Sequence, residues 1–328
     1  MKNIQADIKS GNFKQVYLLY GEEAYLKQQY KQNLVKALSP DGDTMNFNHY
    51  EGKGIDVKQL IDLCETMPFF AERRVVLLED TGFFKNKCEE LADYMKELPD
   101  YLYLVFAETE VDKRNRMYKA VKACGSIAEF IRQDEKTLMR WAAGILGKAG
   151  KKITQRDMEL LLTKTGTDMG NLRMEMEKLI SYTEGRDVVT AEDIEEICTT
   201  QTTNRIFDMV RAVTEKNQKR ALELYYDLLT LKEPPMRILF LLAKQYRQLL
   251  LAKQFAAAGL AQTEIASKLG VPGFVVRNIT TCARAYTISE LEQAVKDFVD
   301  AEESVKTGRL EDKLSVELLI IEYSSKVK

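Results

Sequence analysis

Thr66-Met67-Pro68-Phe69-Phe70-Ala71-Glu72-Arg73-Arg74-Val75-Val76-Leu77-Leu78-Glu79-Asp80 contains a helix stop, a turn and a strand in one run. Upstream of it, Asp56 is placed to cap a helix whose Val57, Leu60, Ile61 and Cys64 share one face. Pro68 breaks that periodicity. Val75-Val76-Leu77-Leu78 is a continuous apolar run, the pattern of a strand covered on both faces. Between helix and strand, Phe69 and Phe70 stand side by side. In a regular element adjacent aromatics cannot both face one core, whereas in a tight turn both can point outward. Two readings are open. The rings close the end of the local core, as buried Phe commonly does, or they form an apolar plug for a pocket on a partner.

The same alternation of helix and strand runs through the first third. Val16-Tyr17-Leu18-Leu19-Tyr20 reads as a buried strand stopped by Gly21, and Tyr25, Leu26, Tyr30 and Leu34 mark the helix after it. Asn46 to Tyr50 reads as a second strand. Cys88, Leu91, Tyr94, Met95 and Leu98 mark a helix, and Leu102 to Ala107 a further central strand. Met117, Ala120 and Val121 mark the next helix, and Ile127 to Ile131 a last strand. This order predicts an open, mostly parallel sheet covered on both faces.

Beyond about residue 135 the strand pattern stops. Thr137, Thr154, Asp168 and Thr190 are each placed to cap a helix, and Asp193 completes a capping box with Thr190. Thr199-Thr200-Gln201-Thr202-Thr203-Asn204 is a polar connector. After it the stripes are helical to the end: Ile206, Met209, Val210 and Val213; Ala221, Leu222, Tyr225 and Leu228; Ile238 to Leu250 behind Pro234-Pro235; Leu291 to Val299; and Leu314, Leu318 and Ile321. The organisation expected is a sheet domain over 1–135, a small helical domain over 136–200 and a second helical domain over 201–328.

Composition excludes several classes. The 328 residues are 45% hydrophobic and 30% charged with a net charge of −2, which describes a globular protein and no polyelectrolyte. No run approaches the length of a membrane span. The N-terminus lacks an apolar leader core. The five cysteines are scattered without close pairs, as expected for free thiols in a reducing cytoplasm.

The strand-to-helix turn Gly21-Glu22-Glu23-Ala24 stands where a phosphate-binding loop would stand. It has one glycine, no Lys-Ser or Lys-Thr, and two carboxylates that repel a triphosphate. Val75 to Asp80 superficially resembles a magnesium-binding Walker B strand, but without a phosphate loop Glu79 and Asp80 read as a solvated strand end. The single histidine, His49, has no obvious partner and reads as a surface or satisfied histidine, and no cysteine set has metal-ligand spacing. No intrinsic catalytic site, metal or cofactor is expected. Lys113, Arg114 and Arg116 follow a central strand and are read either as a docking patch or as a solvated helix start; Lys244, Arg247 and Lys253 pose the same choice.

Several segments together resemble the delta subunit family of the bacterial DNA polymerase III clamp loader. They are Val16 to Glu23, Arg73 to Asp80, Asp112-Lys113-Arg114 with Tyr118-Lys119, and Thr165-Gly166-Thr167-Asp168 followed by Leu172, Glu175, Lys178-Leu179 and Tyr182. Further along come Ile206-Phe207-Asp208, Glu233-Pro234, Leu242 to Arg247, Glu264-Ile265-Ala266 with Leu269-Gly270, and Lys306 to Arg309 with Asp312. They keep the family's order over nearly the whole chain. The resemblance implies an AAA+-like sheet domain without a P-loop, a helical lid and a helical collar. It also implies a role in DNA replication: binding the ring-shaped sliding clamp (beta) and holding it open without hydrolysing ATP. The implied partners are the tau/gamma and delta prime subunits in a five-subunit complex, with primed DNA reached through that complex. In the family a hydrophobic pair in the turn before this strand enters a clamp pocket. Phe69 and Phe70 hold that place here, approached through Met67 and Pro68; the wider family often has Leu-Phe. The alternative is a catalytically inactive adaptor that contacts DNA through Lys113, Arg114 and Arg116.

Overall fold

The computed structural model describes residues 2–39, 44–200 and 202–325. The chain divides into two compact units, Met1–Gln133 and Asp134–Lys328.

The first unit is built on five strands: β1 (Val16–Tyr20), β2 (Phe47–Glu51), β3 (Arg74–Glu79), β4 (Leu102–Glu108) and β5 (Ser126–Glu129). All pairings are parallel, in the order β2-β3-β4-β1-β5. Parallel neighbours need crossovers, and most of these are helical. The helices are α1 (Lys2–Ser10), α2 (Ala24–Leu38), α3 (Val57–Cys64), α4 (Glu89–Tyr94) and α5 (Arg116–Cys124). Alternate strand residues feed two cores. Tyr17, Leu19, Val75, Leu77 and Val105 pack with Ile4, Leu34 and Leu38 on one side. Val16, Leu18, Val76, Leu78, Leu104 and Phe106 pack with Leu60, Cys64, Leu91, Met117 and Val121 on the other. Burial on both faces is why these strands read as unbroken apolar runs.

Some expectations shift. Asp56 caps α3 as read, accepting from the amides of Lys58 and Gln59. The helix expected through Leu98 is only α4, with Met95 closing it. The last strand is β5, and Phe130 just beyond it is fully buried. Helix α1 has too few apolar positions to announce itself, yet Ile4 is buried in the core.

The second unit is helical apart from one bridge between Lys152 and Val188 among its described residues. Its first four helices are α6 (Glu135–Lys148), α7 (Gln155–Thr165), α8 (Met169–Tyr182) and α9 (Ala191–Ile197). They enclose Ala142, Leu146, Leu161, Leu172, Met176 and Ile194. Thr154, Asp168 and Thr190 cap their helices as expected. Thr137 does not: the extended residue before α6 is Asp134, whose carboxylate accepts the Thr137 amide at 2.7 Å. Seven helices follow: α10 (Thr202–Thr214), α11 (Gln218–Thr230), α12 (Pro235–Ala257), α13 (Gln262–Leu269), α14 (Gly273–Ala283), α15 (Ile288–Lys306) and α16 (Asp312–Ser324). They share a second cluster that includes Ile206, Tyr225, Leu239, Tyr246, Phe298 and Ile320. Val275 of α14 packs into the first cluster as well. Gln201 of the polar connector lies outside the described residues.

The capping box at α9 carries a pH-dependent contribution. Burial pushes the Asp193 carboxyl up, but hydrogen bonds from Thr190 and the Arg186 guanidinium outweigh it, and the group titrates below its ordinary value. Its stabilisation is therefore present above the unfolded carboxylate value and is lost as pH falls through the lowered folded value. Asp193→Ala is expected to cost about 1–2 kcal/mol at neutral pH. Urea titrations followed by emission of Trp141, the only tryptophan, should show that difference shrinking in acid. A difference that stayed constant in acid would refute the assignment.

Candidate functional site

The turn between α3 and β3 leaves the core at the N-terminal edge of the sheet and carries the most exposed aromatic pair of the first unit. Phe70 is 95% exposed, Phe69 59% and Met67 74%. Pro68 is half-buried. The two rings meet edge to face with centroids 4.5 Å apart. Such contact shields little of either ring from water, so a large apolar surface stands open. Of the two readings of the pair, the core-closing one is thereby overturned: neither ring seals the sheet.

The turn is nonetheless fastened. The buried Asn46 side chain accepts the Phe69 amide at 2.6 Å and donates to the Phe69 carbonyl at 3.0 Å. Arg74, 5% exposed, donates through Nε to the Thr66 carbonyl at 2.8 Å. Its two terminal nitrogens donate to Asn48 Oδ1 at 3.1 Å and to the Met67 carbonyl at 3.2 Å. The Arg73 guanidinium lies 5.1 Å from the Phe13 ring and 5.3 Å from the Tyr103 ring, within cation–π range. Phe70 sits at φ 48°, a left-handed conformation that a bulky residue adopts only where its surroundings enforce it.

The opposite, C-terminal edge of the sheet is where an open α/β fold usually takes a small ligand. Here it is filled by the chain's own contacts. A Cβ on Gly21, at φ 122°, would stand 2.3 Å from the Phe130 carbonyl oxygen. That oxygen accepts the Glu23 amide at 2.9 Å, so an amide at the head of α2 is taken. Lys31 and His49 both pair with Glu79, at 2.6 and 2.8 Å. His49 is thus a surface histidine with a satisfied ring, as read, whereas Glu79 is not simply a solvated strand end: Lys31 and His49 hold it. Asp80, at φ 47°, accepts the amide and hydroxyl of Thr109. Glu108 is buried and accepts from Thr81 and Gly82. Burial pushes its carboxyl up from the ordinary value, against those hydrogen bonds. Burial pulls the Lys27 ammonium down, against the attraction of Asp80 and Glu108. Among the described residues no group of three or more His, Cys, Asp or Glu is placed to hold a metal ion.

The basic stretch is largely neutralised. Lys113 pairs with Glu129 at 2.8 Å, Arg114 with Asp112 at 3.0 Å, and Arg116 with Asp93 at 2.7 Å. Asn115 between them caps α5. On α12, Lys244 and Arg247 are exposed, while Lys253 donates to the Ala283 carbonyl at 2.9 Å.

Comparison with known proteins places the chain. A family model described as "DNA polymerase III, delta subunit" matches residues 17–130, and one described as "DNA polymerase III delta subunit, C-terminal domain" matches residues 203–323. The chain belongs to the DNA polymerase III delta subunit family. It is 26% identical to the DNA polymerase III subunit delta of Bacillus subtilis (strain 168), over 98% of this chain and 96% of that one. It is 22% identical to a probable DNA polymerase III subunit delta of Aquifex aeolicus (strain VF5), over 78% and 75%. Among solved structures it shares the fold of the Bacillus subtilis DNA clamp loader delta protein, with a TM-score of 0.68, 24% identity and 99% coverage of both chains.

For this delta-family chain, the mixed α/β and all-α class read from the sequence is the one present. The residues singled out as a binding turn, Met67, Pro68, Phe69 and Phe70, lie together on one exposed turn. Asn46, Arg73 and Arg74, which fasten it, were not recognised in any such role. Asn46 and Arg73 meet partners on other segments, while Arg74 folds back on Thr66 and Met67 of its own run, a contact without periodicity.

Proposed function

We propose that this chain is the clamp-loader subunit that grips the sliding clamp and holds it open at one interface, without hydrolysing ATP itself. The observation that carries the reading is the exposure of Phe69 and Phe70 on a turn fastened from beneath. A solvent-facing aromatic pair on a rigid base is the anchor type that dominates protein interfaces. Met67 and Pro68 form the approach to the pocket. Gripping favours a clamp conformation with a weakened interface, and it does so only through higher affinity for that conformation.

The lid is assigned to residues 136–200 and the collar to 201–328. Through the collar the chain joins the tau/gamma and delta prime subunits, and the assembled cytoplasmic loader meets primed DNA. Leu314, Leu318 and Ile321, spaced i, i+4, i+7 on α16, remain 42, 47 and 39% exposed, which supports packing against a neighbour there. In the adaptor reading, each of the three cations Lys113, Arg114 and Arg116 already has a carboxylate partner at the surface.

The test is equilibrium binding of the purified chain to the sliding clamp of the same organism, without nucleotide. Salt-insensitive binding is expected, and failure to bind overturns the reading. In parallel, dialysis against ATP with Mg²⁺ is expected to show no saturable uptake. Gly21 lies against the Phe130 backbone, and the Glu23 amide is already spent. Stoichiometric ATP uptake would revive a nucleotide-dependent role.

A further inference from the structure

The geometry points to Asn46 and Arg74 as positioning residues that hold the Phe69–Phe70 turn in its binding conformation before any partner arrives. This rests on the clamp-gripping reading of the same turn.

The two side chains act on different parts of the turn. Asn46 stands just ahead of β2 and is 3% exposed. Its amide satisfies both backbone groups of Phe69, as a neighbouring strand would. Its own carbonyl accepts the Val75 amide at 2.8 Å, so the residue that pins the turn is itself registered against β3. Arg74 reaches back from the start of β3 and spends two donors on the carbonyls of Thr66 and Met67, the residues that lead into Pro68. Its third contact, Asn48 Oδ1, belongs to β2. Both pins are thus anchored in the sheet, and together they hold the backbone from Thr66 to Phe69.

What they hold is otherwise unfavourable. Both rings are exposed, and Phe70 is held in a left-handed conformation that a free chain seldom visits. A loop released from these pins would populate many conformers, and the competent one would be a fraction of them. Apparent affinity falls by that fraction. Neither Asn46 nor Arg74 has to touch the clamp for this to happen.

The prediction separates positioning from contact. If Asn46 only selects a conformer, Asn46→Ala lowers the association rate constant for the clamp about tenfold and leaves the dissociation rate constant near wild type. Loss of a direct contact shows mainly in dissociation, as expected for Phe69→Ala. The Phe69 amide hydrogen, protected in the wild-type chain, should exchange faster in Asn46→Ala. Asn46→Ser buries no charge and keeps a small polar side chain at this buried site, so it provides a second variant, with an association defect of the same kind, should Asn46→Ala unfold. The assay is surface-immobilised clamp with the full chain in solution and no nucleotide, with circular dichroism to verify folding. Wild-type association by folded Asn46 variants overturns the assignment. A defect confined to dissociation also overturns it and makes Asn46 a contact residue. A wild-type chain that ignored the clamp would overturn the gripping reading and this assignment with it, whereas the first two outcomes leave the gripping reading intact.

Discussion

Replacing Phe69 and Phe70 together by alanine is expected to weaken clamp binding by roughly a hundredfold or more while the chain stays folded. Burying a Phe side chain is worth about 1.5–3 kcal/mol. Two rings taken from their present exposure into a pocket supply about 3–6 kcal/mol, or roughly 10²–10⁴ in the dissociation constant. The same exposure protects the fold. Neither ring belongs to the buried clusters of the first unit, so their removal opens no cavity, and surface changes of this kind usually stay within about 0.5 kcal/mol. Binding by titration calorimetry and unfolding by circular dichroism should therefore separate cleanly. Unfolding of the double variant would mean that the rings support the sheet. Undiminished binding by a folded double variant would move the grip to another surface.

The exposure of that pair could not be read from the sequence alone, and the reason is physical. Two adjacent aromatics fit both a capped core and an outward plug; the choice depends on where the following strand starts and what lies beneath the turn. What lies beneath is Asn46, distant in sequence, and an arginine directed inward against the usual habit of its type. Neither leaves a periodic trace. The central strands were legible because burial on both faces makes unbroken apolar runs, as in Val16–Tyr20, Arg74–Glu79 and Leu102–Glu108. Helix starts were legible at Asp56, Thr154, Asp168 and Thr190, each of which caps the helix it precedes. Before α6 two capping types stood three residues apart, and the backbone amide of the second became the ligand of the first. His49 and Glu79 came together only through the register of β2 on β3, which pairs His49 with Leu77 and Glu51 with Glu79.

Gly21→Ala should damage the first unit severely, with an expected loss of about 2–6 kcal/mol. Two costs combine. At φ 122° a side chain meets strain of about 1–3 kcal/mol. The added carbon would also stand 2.3 Å from a backbone oxygen, which cannot rotate aside, and overpacking adds about 1–3 kcal/mol. Phe130 is held there from both directions. Its amide donates to the Tyr20 carbonyl at 2.7 Å, its carbonyl accepts the Glu23 amide, and its fully buried ring meets Tyr30 at 5.3 Å. Relief therefore requires β5 to move away from β1. Gly11→Ala is the control, because Gly11 has φ 74° but nothing within 4 Å of an added Cβ. It bears the conformational cost alone, about 1 kcal/mol. Urea unfolding followed by circular dichroism should separate the two variants by several kcal/mol. That gap would measure how tightly Phe130 closes the turn where a phosphate loop would otherwise sit. If both variants lost the same small amount, β5 would be free to shift, and the case that Phe130 keeps nucleotide from this turn would fail.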